Sequence, residues 1–224
     1  TPTSTSTPTG TPTPTPTATD TPVPTPTDTP TPTPTATATN TPTATPTSTT
    51  ASTGPLNCAA NAPVTANSGD NDGYEVTPAN ACASDGATAH DNSSGTSAIA
   101  DCGDAGKDRH LFWNYGAIIP VGATINGIEV RLDTKANSSA NSPSICVELS
   151  WDGGTTWTAP QETSVLGSGL TTFLLGSAAN TWGRAWTPTE LADGNFRVRL
   201  TDIAGASSQG FALDWVAVNV TYTP

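Results

Sequence analysis

Threonine occupies every odd position from Thr1 to Thr49 except position 23, which is Val23. The even positions are mostly proline, so residues 1–50 contain 25 Thr, 13 Pro and no aromatic residue. Such a segment has too little apolar surface to offset the loss of chain entropy, and it cannot form a core. Proline fixes φ and pushes the preceding residue towards extended backbone. We therefore predict an extended polyproline II tract over residues 1–54 and a separate domain over residues 55–224.

The alternation also predicts a covalent modification. A polyproline II helix has about three residues per turn, so a period of two distributes the threonine hydroxyls around every side of the rod. Thr/Pro-rich composition is typical of O-glycosylated stalks. We predict O-glycosylation in this tract, with representative sites at Thr11, Thr13, Thr15, Thr31 and Thr33. An unmodified flexible linker is the alternative.

The charge balance excludes one class of partner. The formal net charge is -12, from 7 Lys+Arg and 19 Asp+Glu, and no basic cluster occurs that would bind nucleic-acid phosphates. No apolar run approaches the ~18 residues of a membrane-spanning helix. Together with the stalk, these features predict an extracellular or cell-surface protein with no nucleic-acid partner and no membrane span.

All four cysteines lie in the predicted domain, at Cys58, Cys82, Cys102 and Cys146. No CxxC spacing is present, which argues against a zinc site, and an extracellular setting favours disulfides. Four cysteines allow three pairings. We predict Cys58–Cys82 and Cys102–Cys146, with free core cysteines as the alternative.

The domain has the period of β-strands. Apolar and polar residues alternate over 128–133, 145–149 and 196–200, and a long apolar run covers 211–222. Glycine-, asparagine- and proline-containing turns separate these runs. About eight or nine short strands predict an all-β fold, an antiparallel β-sandwich of the jelly-roll type. The one helix signal is a capping box from Thr187 to Glu190, with Pro188 at the first helical position.

An eight-residue motif carries a resemblance to known families. Residues 150–157 read Ser-Trp-Asp-Gly-Gly-Thr-Thr-Trp and match the Asp-box pattern S-x-D-x-G-x-T-W. In the families that carry it, the motif is a β-hairpin whose Asp accepts backbone hydrogen bonds and whose Trp anchors the turn. The resemblance thus implies structural roles for Ser150, Asp152, Gly154 and Trp157. The motif occurs once, which does not support a propeller.

A longer stretch, residues 110–222, resembles a jelly-roll module that recurs in large secreted bacterial proteins. The resemblance is carried by the Asp-box and by the runs at 125–130, 182–187 and 195–199. The resemblance covers about half the chain. It implies the jelly-roll fold but no activity for this protein.

Acidic residues concentrate before the predicted strands. Residues 70–104 contain seven Asp or Glu and no Lys or Arg. Asp70 and Asp72 share one turn, and Asp85 lies in a Ser-Asp-Gly turn that resembles the Ca²⁺ loop of galactose-binding-like jelly rolls. Ca²⁺ prefers oxygen ligands on irregular loops, so Asp70, Asp72 and Asp85 are candidate ligands of a structural Ca²⁺, and we predict no cofactor other than this ion. Solvated turn residues are the alternative.

Three tryptophans are candidates for a sugar-stacking platform. Trp182 and Trp186 flank Gly183-Arg184, and Trp151 alternates away from Leu149. Carbohydrate binding uses flat aromatic faces with polar neighbours, which makes these residues the candidates for an exposed platform. Core packing is the alternative.

No catalytic pattern stands out, and we predict that the protein is not an enzyme. Cross-strand ion pairs explain the charged strand residues more simply than a catalytic carboxyl pair. These residues are Glu129, Arg131, Asp133, Glu148, Arg197 and Arg199. The triplet Asp108-Arg109-His110 is interpreted as the entry to a strand rather than a site.

Two functions follow from these observations. The first is a non-catalytic structural protein, a glycosylated stalk carrying a β-sandwich, that self-associates into surface fibres. The alternative is a carbohydrate-binding module on a stalk, derived from a larger secreted enzyme or adhesin, with a cell-surface polysaccharide as its partner.

Overall fold

The computed structural model describes residues 10–20, 22–25 and 49–224. The chain divides into two units, Thr1–Thr45 and Pro46–Pro224. The described residues of the first unit have no helix or strand and are exposed, among them Thr11, Thr13 and Thr15. Thr31 and Thr33 lie outside the described residues.

The second unit is a two-sheet antiparallel β-sandwich, as predicted. One sheet has six strands: β1 (Ala51–Ser52), β2 (Leu56–Asn57), β4 (Ala89–Asp91), β6 (Thr124–Ala136), β9 (Thr171–Gly176) and β11 (Phe211–Thr223). The other sheet has five strands: β3 (Ala60–Pro63), β5 (Arg109–Trp113), β7 (Ser144–Ser150), β8 (Gln161–Glu162) and β10 (Arg197–Ile203). The order in the five-stranded sheet is β3-β5-β10-β7-β8.

Strand β11 organises the six-stranded sheet. It pairs with β6 along one edge and with β4, β2 and β1 in succession along the other edge. Strand β9 completes the sheet on the far side of β6. The alternating residues of the two sheets that point inward form one core, in which Leu132, Val216, Phe112, Leu149 and Val198 are fully buried. Burying each such side chain contributes roughly 1.5–3 kcal/mol.

The sandwich begins earlier in the chain than predicted. Ala51 pairs with Tyr222, and the Thr53 amide donates a hydrogen bond of 3.0 Å to the Val220 carbonyl. The predicted boundary at residue 54 is therefore a few residues late. Residues 51–53 have the same Ala, Ser and Thr composition as the tract, so composition does not reveal their pairing with β11.

Two disulfides connect irregular segments to the sandwich. They are Cys58–Cys82 and Cys102–Cys146, the predicted pairs, with sequence separations of 24 and 44 residues. In the chain-entropy account, closing loops of this length contributes about 3–4 kcal/mol each. The second disulfide holds the 102–105 loop against the outer side of β7.

Two short 3-10 helices lie in the connections, at Pro78–Ala81 and Pro188–Leu191. The second is the predicted capping-box turn, in which Glu190 Oε2 accepts the Thr187 amide at 2.7 Å. The first has no cap signal in the sequence and was not predicted. Within the described residues, no helix has the length and apolar character needed to cross a membrane.

The turn after β7 is closed by hydrogen bonds to Asp152. Its Oδ1 accepts the amides of Thr155 at 3.0 Å and Thr156 at 2.8 Å, and Ser150 Oγ also donates to it at 2.9 Å. Trp157 Nε1 donates to the Gly154 carbonyl at 3.1 Å, and Ser150 pairs with Trp157 across the turn. One carboxylate thus holds both sides of the loop together.

These contacts predict a pH-dependent contribution to stability. Hydrogen bonds from the Thr156 side chain and then its amide lower the pKa of Asp152 from 3.8 to about 2. A lowered pKa stabilises the fold above the unfolded pKa, and this stabilisation is lost as pH falls towards 2. We expect Asp152→Ala to lower Tm at pH 7, and the Tm difference from wild type to shrink between pH 4 and pH 2. Thermal unfolding monitored by circular dichroism measures both. Thr155→Ala serves as the control, since the Asp152 carboxylate binds the Thr155 amide, and the Thr155 hydroxyl donates to the Asp152 backbone carbonyl rather than to the carboxylate. An equal Tm for wild type and Asp152→Ala at pH 7 would contradict the structural role.

Candidate functional site

The predicted tryptophan platform is not exposed. Trp182 and Trp186 are each only 5% exposed, and their indole nitrogens donate to the carbonyls of Ile128 at 2.9 Å and Thr181 at 2.8 Å. Trp151 is half-buried, with its ring covered by the Arg184 guanidinium at 3.9 Å. The exposed-platform prediction is therefore wrong for Trp182 and Trp186, which are core residues.

Trp182 is buried because it packs against strands β9 and β6. Gly176, at the end of β9, has no side chain, and a Cβ at this position would lie 2.8 Å from Trp182 Nε1. The indole occupies this space and donates to a β6 carbonyl, an arrangement that satisfies its N–H while burying its ring. The partner is 54 residues away in sequence, so the local Trp-Gly-Arg-Ala-Trp pattern does not reveal it.

The structure brings together two of the three predicted cation ligands. Carboxylate oxygens of Asp70, Asp72 and Asp108 lie within 4.8 Å of one another, and Asp85 is not part of this group. Asp85 Oδ1 instead accepts the Ala87 amide at 2.9 Å, which makes it a turn residue. The prediction is wrong for Asp85 because its carboxylate closes its own turn.

Arginines collect on the outer face of the five-stranded sheet. Arg109 lies on β5, and Arg197 and Arg199 lie on β10, whereas Phe112, Val198 and Leu200 point into the core. Because side chains alternate across a strand, the three arginines share the outward face. Three of the seven basic residues in a chain of net charge -12 thus lie on one surface.

Aromatic rings lie beside these charges. The Arg199 guanidinium carbon is 4.2 Å from the centre of the Trp157 ring, and that of Arg197 is 5.1 Å from the centre of the Trp113 ring. Both tryptophans are half-buried, and Leu111, between Arg109 and Trp113 on β5, is also half-buried. We call the surface formed by Arg109, Trp113, Glu148, Trp157, Arg197 and Arg199 the arginine–tryptophan face.

A cavity of about 430 Å³ opens on this face. Its floor is formed by Arg109, Glu148 and Arg199, and one wall by residues 102–105. The Cys102–Cys146 disulfide attaches that wall to β7, and Arg109 Nη2 donates to the carbonyls of Cys102 at 3.3 Å and Asp104 at 2.7 Å. The cavity is therefore built by covalent and hydrogen-bonded contacts.

The positive charge of the face is only partly neutralised. Arg199 donates through Nε and Nη2 to Glu148 Oε2, at 2.8 and 2.7 Å. Arg109 and Arg197 are instead held by neutral backbone carbonyls, including those of Asn67 and Asp193. Burial, and then the charge of Arg199, lower the pKa of Arg109, and burial lowers the pKa of Arg197. An anion bound here would relieve both effects.

Sequence reasoning identified the arginines of β10 but not the site. The alternation at 196–200 places Arg197 and Arg199 on one face, and the Arg199–Glu148 pair is one of the predicted cross-strand ion pairs. Arg109 and Trp113 were not singled out as site residues, since β5 has no clear alternation. The other predicted charges, Glu129, Arg131 and Asp133, lie on β6 of the opposite sheet, where Arg131 and Asp133 pair at 2.9 Å along one strand rather than across strands.

A second cavity, of about 340 Å³, lies at the β4–β11–β6 edge of the other sheet. Its lining includes His90, Asn92, Lys135, Asn137 and Phe211. Phe211 is 2% exposed and offers no free ring face. This cavity therefore lacks the aromatic surface that the arginine–tryptophan face has.

The chain matches no protein-family model, and no curated protein matches it. Among solved structures, the chain is similar to the CBM32 module of AlyQ in complex with 4,5-unsaturated mannuronic acid, with 17% sequence identity and a TM-score of 0.38. This match covers 73% of this chain and 96% of that chain. Chitosan-binding module 1 of a chitosanase/glucanase from Paenibacillus sp. IK-5 is 18% identical, with coverage of 73% and 95% and a TM-score of 0.38. A truncated AlyQ with CBM32 and alginate lyase domains is 14% identical, with a TM-score of 0.39. The match covers 80% of this chain but only 35% of that chain.

The burial of Trp182 predicts a loss of stability rather than of binding. Replacing a buried Trp with Ala costs about 3–5 kcal/mol in typical cores. We expect Trp182→Ala to lower the free energy of unfolding by this amount, and the half-buried Trp151→Ala to lower it less. Urea denaturation monitored by circular dichroism compares the two. A Trp182→Ala variant of unchanged stability would contradict the core assignment.

Proposed function

We propose that the sandwich is a non-catalytic carbohydrate-binding module of an extracellular protein, and that the arginine–tryptophan face binds its ligand. The observation that carries the proposal is the cavity floored by Arg109, Glu148 and Arg199, beside the Trp157 ring. Small-molecule sites typically combine apolar and aromatic surface with a few convergent polar groups. This face has both, on strands that hold the side chains rigidly.

The charge of the face favours an acidic saccharide. Three guanidinium groups and one carboxylate, that of Glu148, lie on the face, and Arg109 and Arg197 donate their hydrogen bonds to neutral carbonyls. The charges of Asp104, Asp108 and Asp193 act on these two arginines from the margin of the face. Guanidinium groups bind carboxylates and sulfates through paired hydrogen bonds. The half-buried indoles of Trp113 and Trp157 lie beside these groups, each with a guanidinium over its ring, and their exposed parts add apolar surface for a pyranose ring. A uronic-acid or sulfated sugar matches this combination.

The same geometry argues for binding rather than hydrolysis. Glycoside hydrolysis uses two carboxyl groups, one on each side of the scissile bond. Among the residues that line the cavity, Glu148 is the single carboxylate, and Arg199 neutralises it. A carboxylate held in an ion pair is poorly suited to act as a general acid.

The similar solved structures include modules described as carbohydrate-binding, but they add nothing to this argument. Their TM-scores are below 0.5, so support comes from the side chains of the face. Of the two functions predicted from the sequence, carbohydrate binding is the one that the side chains of the arginine–tryptophan face support. Self-association into fibres stays a prediction.

Residues 1–50 would serve this module as an O-glycosylated spacer, since residues 51–53 belong to the sandwich. Thr11, Thr13 and Thr15 are exposed, as glycosylation requires. A polyproline II rod rises ~3.1 Å per residue, which would hold the module well away from its point of attachment.

Binding should depend on Arg199 and not on its counterpart on the opposite sheet. Removing Arg199 alone would leave Glu148, 8% exposed, without its partner, so the change is made as Arg199→Ala/Glu148→Gln. The matched control is Arg131→Ala/Asp133→Asn, which removes an ion pair on the opposite sheet. In this pair too the arginine lies over a tryptophan, since the Arg131 guanidinium is 4.8 Å from the centre of the Trp215 ring. We expect the first variant to lose roughly tenfold or more in affinity for acidic oligosaccharides, about 1.4 kcal/mol, and the control to bind as wild type.

Isothermal titration with oligouronates, sulfated oligosaccharides and neutral oligosaccharides measures this difference and identifies the class of ligand. Preferred binding of neutral sugars, or equal losses in both double variants, would refute the assignment to this face.

The spacer proposal has a separate test. The native protein is expected to exceed the polypeptide mass of 22.6 kDa by multiple hexose-sized increments that map to residues 1–50. Intact-mass spectrometry before and after chemical deglycosylation measures the difference. A native mass equal to that of the bare chain would leave the flexible linker as the remaining interpretation.

A further inference from the structure

A compact group of carboxylates lies where the loop before β4 meets the start of β5. Oxygens of Asp70, Asp72 and Asp108 lie within 4.8 Å of one another, and the Asp70 amide donates to Asp108 Oδ1 at 3.2 Å. Gly69 makes this approach possible: its φ is +54°, and a Cβ there would lie 1.8 Å from Asp108 Oδ1. The loop backbone therefore presses directly against the Asp108 carboxylate.

Asp108 is the member of this group that points to a ligand. It is 2% exposed, and its Oδ2 has no hydrogen-bond partner among the described residues. A buried carboxylate oxygen without a partner costs several kcal/mol in lost hydration, and native structures rarely leave one unsatisfied. Asp70 and Asp72 are exposed, so the group is open to solvent on one side.

The surroundings add negative charge and little positive charge. Asp91 and Asp202 are buried nearby and raise the electrostatic cost at this site. Two cations are adjacent. The Lys107 Nζ donates to Ser94 Oγ at 3.1 Å and to the Ala204 carbonyl at 2.8 Å, and Arg109 Nη1 donates to the Asn67 carbonyl at 2.8 Å. Both are bound to neutral oxygens rather than to a carboxylate of the group.

We propose that Asp70, Asp72 and Asp108 bind a divalent cation, and that Ca²⁺ is the ion this site selects. Ca²⁺ binds oxygen ligands at ~2.3–2.6 Å, so two of its ligands are at most about 5 Å apart, which the 4.8 Å limit satisfies. Three carboxylates contribute up to six oxygens, and water reaches the open side. The ion would satisfy Asp108 Oδ2 and fasten the 69–72 loop to β5. It would occupy different atoms from a saccharide on the arginine–tryptophan face.

The test uses the full chain, freed of metal with EDTA and returned to chelator-free buffer. Calorimetric titration with CaCl₂ is expected to show a single site, and CaCl₂ is expected to raise Tm, because an ion that binds only the folded state stabilises it. Asp108→Asn and Asp72→Asn are expected to weaken Ca²⁺ binding by roughly tenfold or more. Asp72 is exposed, so its variant answers the question even if Asp108→Asn fails to fold.

Asp85→Asn is the matched control, an aspartate from the same acidic stretch whose own turn can be closed equally well by an asparagine. It is expected to bind CaCl₂ as wild type does. The proposal is overturned if the wild-type protein shows neither heat nor a Tm shift with CaCl₂, or if Asp85→Asn abolishes binding while Asp72→Asn retains it. Saccharide titrations on the same variants separate a failure of this site from a failure of the proposed function.

Discussion

Strand β11 carries most of the six-stranded sheet. Four of the other five strands pair with it directly, and β9 is attached through β6. Three short strands, β1, β2 and β4, lie end to end along one of its edges, and none of them is long enough to be stable without this partner. The long irregular segments of the first half of the domain are therefore positioned by backbone pairing with the last strand of the chain.

Neighbouring residues of β5 lie in two different chemical environments, the outer face of the five-stranded sheet and the core. Arg109 and His110 are neighbours on β5, and alternation sends one to the outer face and the other into the core. His110 is stacked at 5.0 Å from Phe112, and burial lowers its pKa to about 4. Its Nδ1 accepts the Tyr74 amide at 3.1 Å, so the neutral ring also holds the loop that carries Asp72. The triplet interpreted as a strand entry thus connects the candidate cation site, the core and the arginine–tryptophan face.

The polar interior behind β5 is formed by buried residues from several parts of the chain. Asp91 and Asp202 are both almost fully buried, and Tyr74 donates its hydroxyl to Asp202 at 3.1 Å. Burial, and then the charge of Asp202, raise the pKa of Asp91, so the pair retains a proton at neutral pH. Lys107 is buried beside them. Such groups are tolerated where hydrogen bonds compensate for lost hydration.

The strands β6, β7, β10 and β11 could be predicted from period-two alternation and turn residues, which depend on neighbours in the chain. The turn at Asp152 was implied by the resemblance to the Asp-box. The two predicted disulfide pairs were confirmed although their cysteines are 24 and 44 residues apart. Alternation also places Arg197 and Arg199 on a common face. Alternation does not determine which strands lie beside β10, so the grouping of these arginines with Arg109, Trp113 and Glu148 could not be predicted. Trp182 was misjudged for the same reason, because its environment is set by Ile128, which is 54 residues away in sequence. Burial and electrostatic fields arise from packing across the sandwich, and these long-range contacts assign each side chain its role.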